Sequence, residues 1–176
     1  CNSLEAAIAH LSELQPHVAL FLLKNSISMP KLLYLLRTAP CFRSNLCCRF
    51  DDIVRSAITS LINIPLDDTS WLQASLPVRF GGLGLRCAST LAPSAFLSSL
   101  ASSHNLLLSL LPSTFVLIDD PFFTSAADIW KSLVNPSQSL IPTKDSKQRT
   151  FDEPICQMIF QSLLTKADDS SKARLL

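Results

Sequence analysis

Apolar residues along the chain recur at three- and four-residue spacing far more often than they alternate, and this pattern predicts a succession of helices. Ser3 caps a first helix over residues 4–14, with Leu4, Ile8, Leu11 and Leu14 on one face. Pro16 opens a second over 16–24, apolar on most sides and so expected to be deeply buried. Ser28 and Pro30 begin a third over 31–38, which Pro40 ends. Its block of leucines, Leu32, Leu33, Leu35 and Leu36, leaves Lys31, Tyr34 and Arg37 as the outward positions. A longer helix runs from Ser44 to about Asn63, with Phe50, Ile53, Val54, Ala57, Ile58 and Leu61 as its core stripe, and Pro65 stops it. Asp67 or Asp68 caps a short helix carrying Trp71, ended by Pro77.

The pattern then changes. Gly81, Gly82 and Gly84 are the only glycines in the chain, so all its freely rotating backbone lies in one place. A sharp turn or a close approach to the backbone is expected there, with a short extended piece. Helix resumes from about Cys87 to Ser103, with Pro93 as a kink, followed by a leucine-rich turn over 106–111. Val116, Leu117 and Ile118 make the best strand candidate. Asp120 and Pro121 start a helix to Val134 that contains Trp130. Residues 135–150 hold Pro136 and Pro142 and read as a polar linker. A last helix over 152–166 presents Ile155, Ile159, Leu163 and Leu164, and Asp168 and Asp169 cap a further one. The expected fold is all-α: an irregular helical bundle with a short glycine-rich turn and a loosely attached helical C-terminal appendage. It divides into a helical domain (1–112), a connecting segment with one helix and a polar linker (113–150) and a C-terminal helical piece (151–176).

Composition narrows the class. The chain has 176 residues, which suits one domain, with or without an appendage. It is 48% hydrophobic and 16% charged, against roughly 25% charged in an average globular chain. Apolar faces are therefore expected to remain for a neighbour to cover. No membrane span is expected, because the longest apolar candidate, 18–36, is interrupted by Lys24, Asn25, Ser26, Pro30 and Lys31. Residue 1 is Cys and no signal-peptide pattern follows, so the chain reads as a piece of a longer polypeptide. The cysteines Cys1, Cys41, Cys47, Cys48, Cys87 and Cys156 lack paired zinc-ligand spacing, and His10, His17 and His104 lie far from them in sequence. They are expected to be small buried hydrophobes in a reducing, intracellular setting, with no metal.

Charge adds a candidate chemistry. Between Glu13 and Asp51 there is no acid, while Lys24, Lys31, Arg37, Arg43 and Arg49 are all basic. Such a stretch can track phosphates by counterion release, and equally can be a solvated helical surface. Four Asp–Asp pairs invite a two-metal reading, but three fall where helix caps or first-turn acids are expected. Asp119 and Asp120 follow apolar residues as in a polymerase hairpin; the further carboxylate and sheet that chemistry needs are not evident, and Pro121 explains Asp120 as a cap. The glycines fit neither a dinucleotide fingerprint nor a phosphate-binding loop, and no serine sits between glycines as a nucleophile would. No catalytic residue is expected.

Three segments taken in order carry a family resemblance: Pro16-His-Val-Ala-Leu-Phe-Leu-Leu-Lys-Asn25, Met29-Pro-Lys-Leu-Leu-Tyr-Leu-Leu-Arg-Thr38 and Trp71-Leu-Gln-Ala-Ser-Leu-Pro-Val-Arg-Phe-Gly-Gly-Leu-Gly-Leu-Arg86. They resemble the region after the polymerase palm in non-LTR (LINE-like) retrotransposon reverse transcriptases. Leu91-Ala-Pro-Ser-Ala-Phe-Leu97 and Asp168-Asp-Ser-Ser-Lys-Ala-Arg-Leu175 resemble the continuation of the same polyproteins, so the likeness covers most of the chain.

The resemblance implies a thumb over 1–112 that grips RNA–DNA template-primer beside the rest of the reverse transcriptase polypeptide. It also implies that catalysis and Mg²⁺ belong to a palm with a Tyr-x-Asp-Asp hairpin, which this sequence lacks, leaving no cofactor in this chain. Carried over by position, Lys31 and Arg37 are the first phosphate contacts and Lys24, Arg79 and Arg86 the further ones, with Gly81, Gly82 and Gly84 as a structural turn. Arg79 and Arg86 are equally expected to satisfy carbonyls of that turn. Trp71 is expected in the core, and so is His17, hydrogen-bonded. The rival reading is a non-catalytic helical protein-interaction fragment, or a decayed element relic.

Overall fold

A computed structural model describes residues 2–111, 120–134 and 147–167. Those residues form an all-α, irregular helical bundle: α1 (Asn2–Leu11), α2 (Pro16–Leu22), α3 (Met29–Thr38), α4 (Leu46–Ile62), α5 (Asp68–Ser75), α6 (Ala88–Leu110), α7 (Pro121–Leu133) and α8 (Gln148–Lys166). The strand candidate at 116–118, most of the linker and the helix proposed after Asp168 lie outside the described residues.

Local chemistry sets many of the boundaries. Asp67 accepts from the Ser70 N–H at 2.7 Å to start α5, and Asp120 accepts from the Phe122 and Phe123 N–H groups at 2.8 and 2.9 Å to start α7. Asn63, at φ 52°, ends α4 in the left-handed conformation. A wider π-helical turn, Leu23–Ile27, continues α2, and Ser28 leaves helical geometry before Pro30 restarts it in the first turn of α3.

The spine is α6, which packs against α3, α4, α7 and α8. Its Ala88, Ala92, Ala95 and Ser94 are wholly buried, and their small side chains let neighbouring helices approach closely. Pro93 sits inside this helix without ending it. The helix also runs past Ser103 through Leu106, where a turn was expected. Ser98, Ser102 and Ser103 bond back to carbonyls three or four residues earlier, so these serines are accommodated within the helix.

Two cores meet along this spine. One gathers Leu4, Leu11, Leu23, Leu36, Phe50, Val54, Ile58 and Trp71 against the first half of α6. The other joins Phe96 and Leu97 to Trp130, Phe151 and Ile155. Half-buried Phe42 touches both cores, its ring 5.2 Å from that of Phe96. The Trp130 Nε1–H donates to the Phe151 carbonyl at 2.7 Å, and the Ser94 hydroxyl reaches the same oxygen.

Several expectations change here. The C-terminal helix was expected to be loosely attached, yet it starts at Gln148 rather than Asp152 and buries Phe151, Ile155, Cys156 and Leu163. Deep burial of the second helix does not occur: α2 buries only Ala19, while Val18 and Phe21 are exposed. Apolar composition says that a face needs cover, but not that this fold supplies it. His17 is exposed rather than in the core, and Leu14 lies beyond the end of α1, also exposed. Cys47, Cys87 and Cys156 are buried as expected, but Cys48 is exposed. The run Pro16–Thr38 is long and apolar enough, by length and composition, to cross a membrane. Its Ala19, Leu23, Met29 and Leu36 nevertheless join the first core.

Candidate nucleic-acid interface

Helix α3 presents two faces. Leu36 and Met29 are buried and Leu32 and Leu33 pack against the first core, which orients the opposite face to solvent. On that outer face stand Lys31, Tyr34, Leu35, Arg37 and Thr38. The Lys31 ammonium makes no hydrogen bond or ion pair among the described residues, while its backbone N–H donates to the Ser28 carbonyl at 3.1 Å. The Nε and Nη2 of Arg37 donate to Gln148 Oε1 at 3.1 and 2.6 Å. This contact, 111 residues away in sequence, brings the start of α8 alongside α3. Exposed Lys147 and Arg149 flank Gln148 there. Sequence reasoning missed both cations, since nothing local to residues 147–149 points to Arg37.

The other three chosen cations gather elsewhere, at the glycine turn. A short 3₁₀ turn, Val78–Phe80, precedes it in place of an extended piece, and Gly81 (φ 72°) and Gly84 (φ 78°) take left-handed backbone. The turn folds back over the end of α5: the Leu83 and Leu85 N–H groups donate to the Ala74 carbonyl, and the Gly84 N–H donates to that of Leu76 at 2.8 Å. A Cβ on Gly82 would stand 2.1 Å from the Leu76 carbonyl oxygen, so no side chain fits. A Cβ on Gly84 would lie 2.9 Å from both Cε and Nζ of Lys24, which places the lysine over the turn.

Arg79 and Arg86 are held by α8. Arg86 pairs with Asp152, each side chain only 15% exposed, and it also donates to the Ser75 carbonyl. Arg79 pairs with Glu153, which Arg149 also contacts at 3.1 Å. Burial lifts the Asp152 carboxyl above its ordinary pKa, while the adjacent Arg86 guanidinium pulls it down. Phe80 and Phe160 pack at 5.5 Å beside these pairs. The structure therefore turns Arg86 inward to Asp152 and ties Arg79 to α8.

Of the remaining basic residues in the acid-free stretch, Arg43 reaches α7. It donates to Ser125 Oγ and the Pro121 carbonyl and lies over the Phe122 ring at 5.0 Å. Arg49 faces Glu5 at 3.5 Å across an open groove of about 550 Å³ between α1 and α4, with Ile8, Leu11, Ile53 and Leu61 in its lining.

Asp51 proves structural, and sequence reasoning missed it. From α4 its buried carboxylate accepts from the Ala88 N–H at 2.6 Å, the Ser89 N–H at 3.0 Å and the Ser89 hydroxyl at 2.6 Å. It thus caps α6 from another helix, at a start where Cys87 offers no side-chain cap of its own. Burial raises its pKa and the three donors oppose that rise. Among the described residues no group of three or more His, Cys, Asp or Glu side chains could hold a metal ion. Comparison of the chain with family models, curated proteins and solved structures finds no match in any of the three.

Proposed function

We propose that this chain is a thumb-like holding element for RNA–DNA template-primer, part of a reverse transcriptase of the non-LTR retrotransposon kind whose palm would hold Mg²⁺. The observation that carries the reading is the outer face of α3. There Lys31 and Arg37 stand in solvent on a helix whose inner face is anchored in the core, within a stretch free of acids. Two cations on a braced helix suit phosphate contact, because their spacing survives when the ligand leaves. Gln148 adds to this bracing by holding the Arg37 guanidinium in place.

The test is anisotropy of a labelled RNA–DNA hybrid over a range of salt concentrations. Affinity should fall steeply with salt, and Lys31→Ala combined with Arg37→Ala should reduce the log–log slope by about 2. Salt-independent self-association with no affinity for the hybrid would sink the reading. That result would favour the rival, a helical protein-interaction piece, for which exposed Val18 and Phe21 and the α1–α4 groove speak.

A further inference from the structure

We propose that Tyr34 is a base-stacking contact, so that the outer face of α3 prefers an unpaired nucleotide at a duplex end to duplex phosphates alone. This inference rests on the nucleic-acid reading above and deepens it. Tyr34 is the only tyrosine in the chain and, at 74%, the most exposed large apolar side chain among the described residues. Its ring has no aromatic or cation partner and its hydroxyl no hydrogen bond among the described residues. A large aromatic left in water forgoes the stabilisation that burial would bring. Its neighbours on the helix surface are Lys31 three residues before it and Arg37 three after, each within one turn. The Thr38 hydroxyl turns back to the Tyr34 carbonyl at 2.9 Å and so makes no bond of its own across the ring.

Charge selects the occupant. An apolar protein surface or a lipid core seated on Tyr34 and half-exposed Leu35 would have to desolvate the cation on either side. A polynucleotide makes use of both: the ring takes the face of a base and the cations take the flanking phosphates. Inside a duplex each base already stacks on its neighbours, so an added ring gains little there. An unpaired base offers a free π-face. Arg37, held by Gln148, needs little further ordering to take its phosphate.

The experiment compares the full chain with Tyr34→Ala and Tyr34→Phe on three probes: a blunt RNA–DNA hybrid, the same hybrid with an unpaired template overhang, and anionic phospholipid vesicles. At its exposure Tyr34 can be truncated with little effect on folding. The wild-type chain should bind the overhang hybrid about tenfold tighter than the blunt one. Tyr34→Ala should erase that difference while leaving blunt-hybrid affinity and its salt slope unchanged, and Tyr34→Phe should retain it. If Tyr34→Ala weakens both hybrids equally, or neither, the stacking role is overturned while the holding element stands. If the wild-type chain binds neither hybrid, or binds only vesicles, both readings fall.

Discussion

Replacing Arg86 by Met tests the assignment that separates the glycine turn from the candidate interface. Methionine keeps the apolar stem and removes the guanidinium, which leaves Asp152 buried without its partner. With both side chains only 15% exposed, solvent screens the pair weakly. Breaking a buried pair by deleting one partner costs about 3–5 kcal/mol. For a chain of this size that corresponds to a fall in Tm of roughly 10 °C, read by circular dichroism.

The loss should also depend on pH, with a definite sign. Asp152 already has a folded-state pKa raised by burial, and Arg86 opposes the rise. Without Arg86 that pKa moves further above its unfolded value of about 3.9. A carboxyl raised in this way binds more protons folded than unfolded, so stability falls as pH climbs from the unfolded toward the folded pKa. The deficit of Arg86→Met should therefore be largest at about pH 7 and shrink toward about pH 4. Adding Asp152→Leu removes the stranded charge and should restore most of the loss. A single variant within about 0.5 kcal/mol of wild type, or a deficit equal at both pH values, would refute the buried-pair account.

Other variants test other joints of the structure. Asp51→Ala leaves the Ala88 and Ser89 N–H groups at the start of α6 without their acceptor and should lower urea-unfolding stability by about 2 kcal/mol; an unchanged midpoint would remove the cap from another helix. Gly82→Ala drives a Cβ into the Leu76 carbonyl and should destabilise by more than about 2 kcal/mol, whereas Gly84→Ala meets only the flexible end of Lys24 and the penalty of a positive φ, about 1 kcal/mol. Equal losses in those two glycine variants would contradict the turn geometry. In a Cys1→Ser background, exposed Cys48 should react with a thiol reagent well before Cys87, whose pKa burial pushes up to about 12, and before Cys47 and Cys156, pushed up to about 11. Simultaneous labelling of all four in the folded chain would refute that burial pattern.

How much was legible depends on how far each signal reaches along the chain. Pro16, Asp67, Asp120 and the Pro65 that follows α4 act within about one turn of themselves, so the sequence alone determined those helix boundaries and the all-α class. The outward positions Lys31, Tyr34 and Arg37 were likewise visible, because a leucine block on a ten-residue helix leaves only one face free. The helix from Cys87 through Pro93 to Ser103 was legible, but its continuation to Leu110 was not, since no local signal separates a leucine-rich turn from further turns of helix. Tertiary structure alone decided that α2 leaves Val18 and Phe21 exposed and that α8 is docked rather than loose. It also turned Arg86 to Asp152, 66 residues away, and Asp51 to the start of α6, 37 residues away. An ion pair or a cap taken from another helix has no spacing rule in the sequence; it exists only once the core has placed the two backbones side by side.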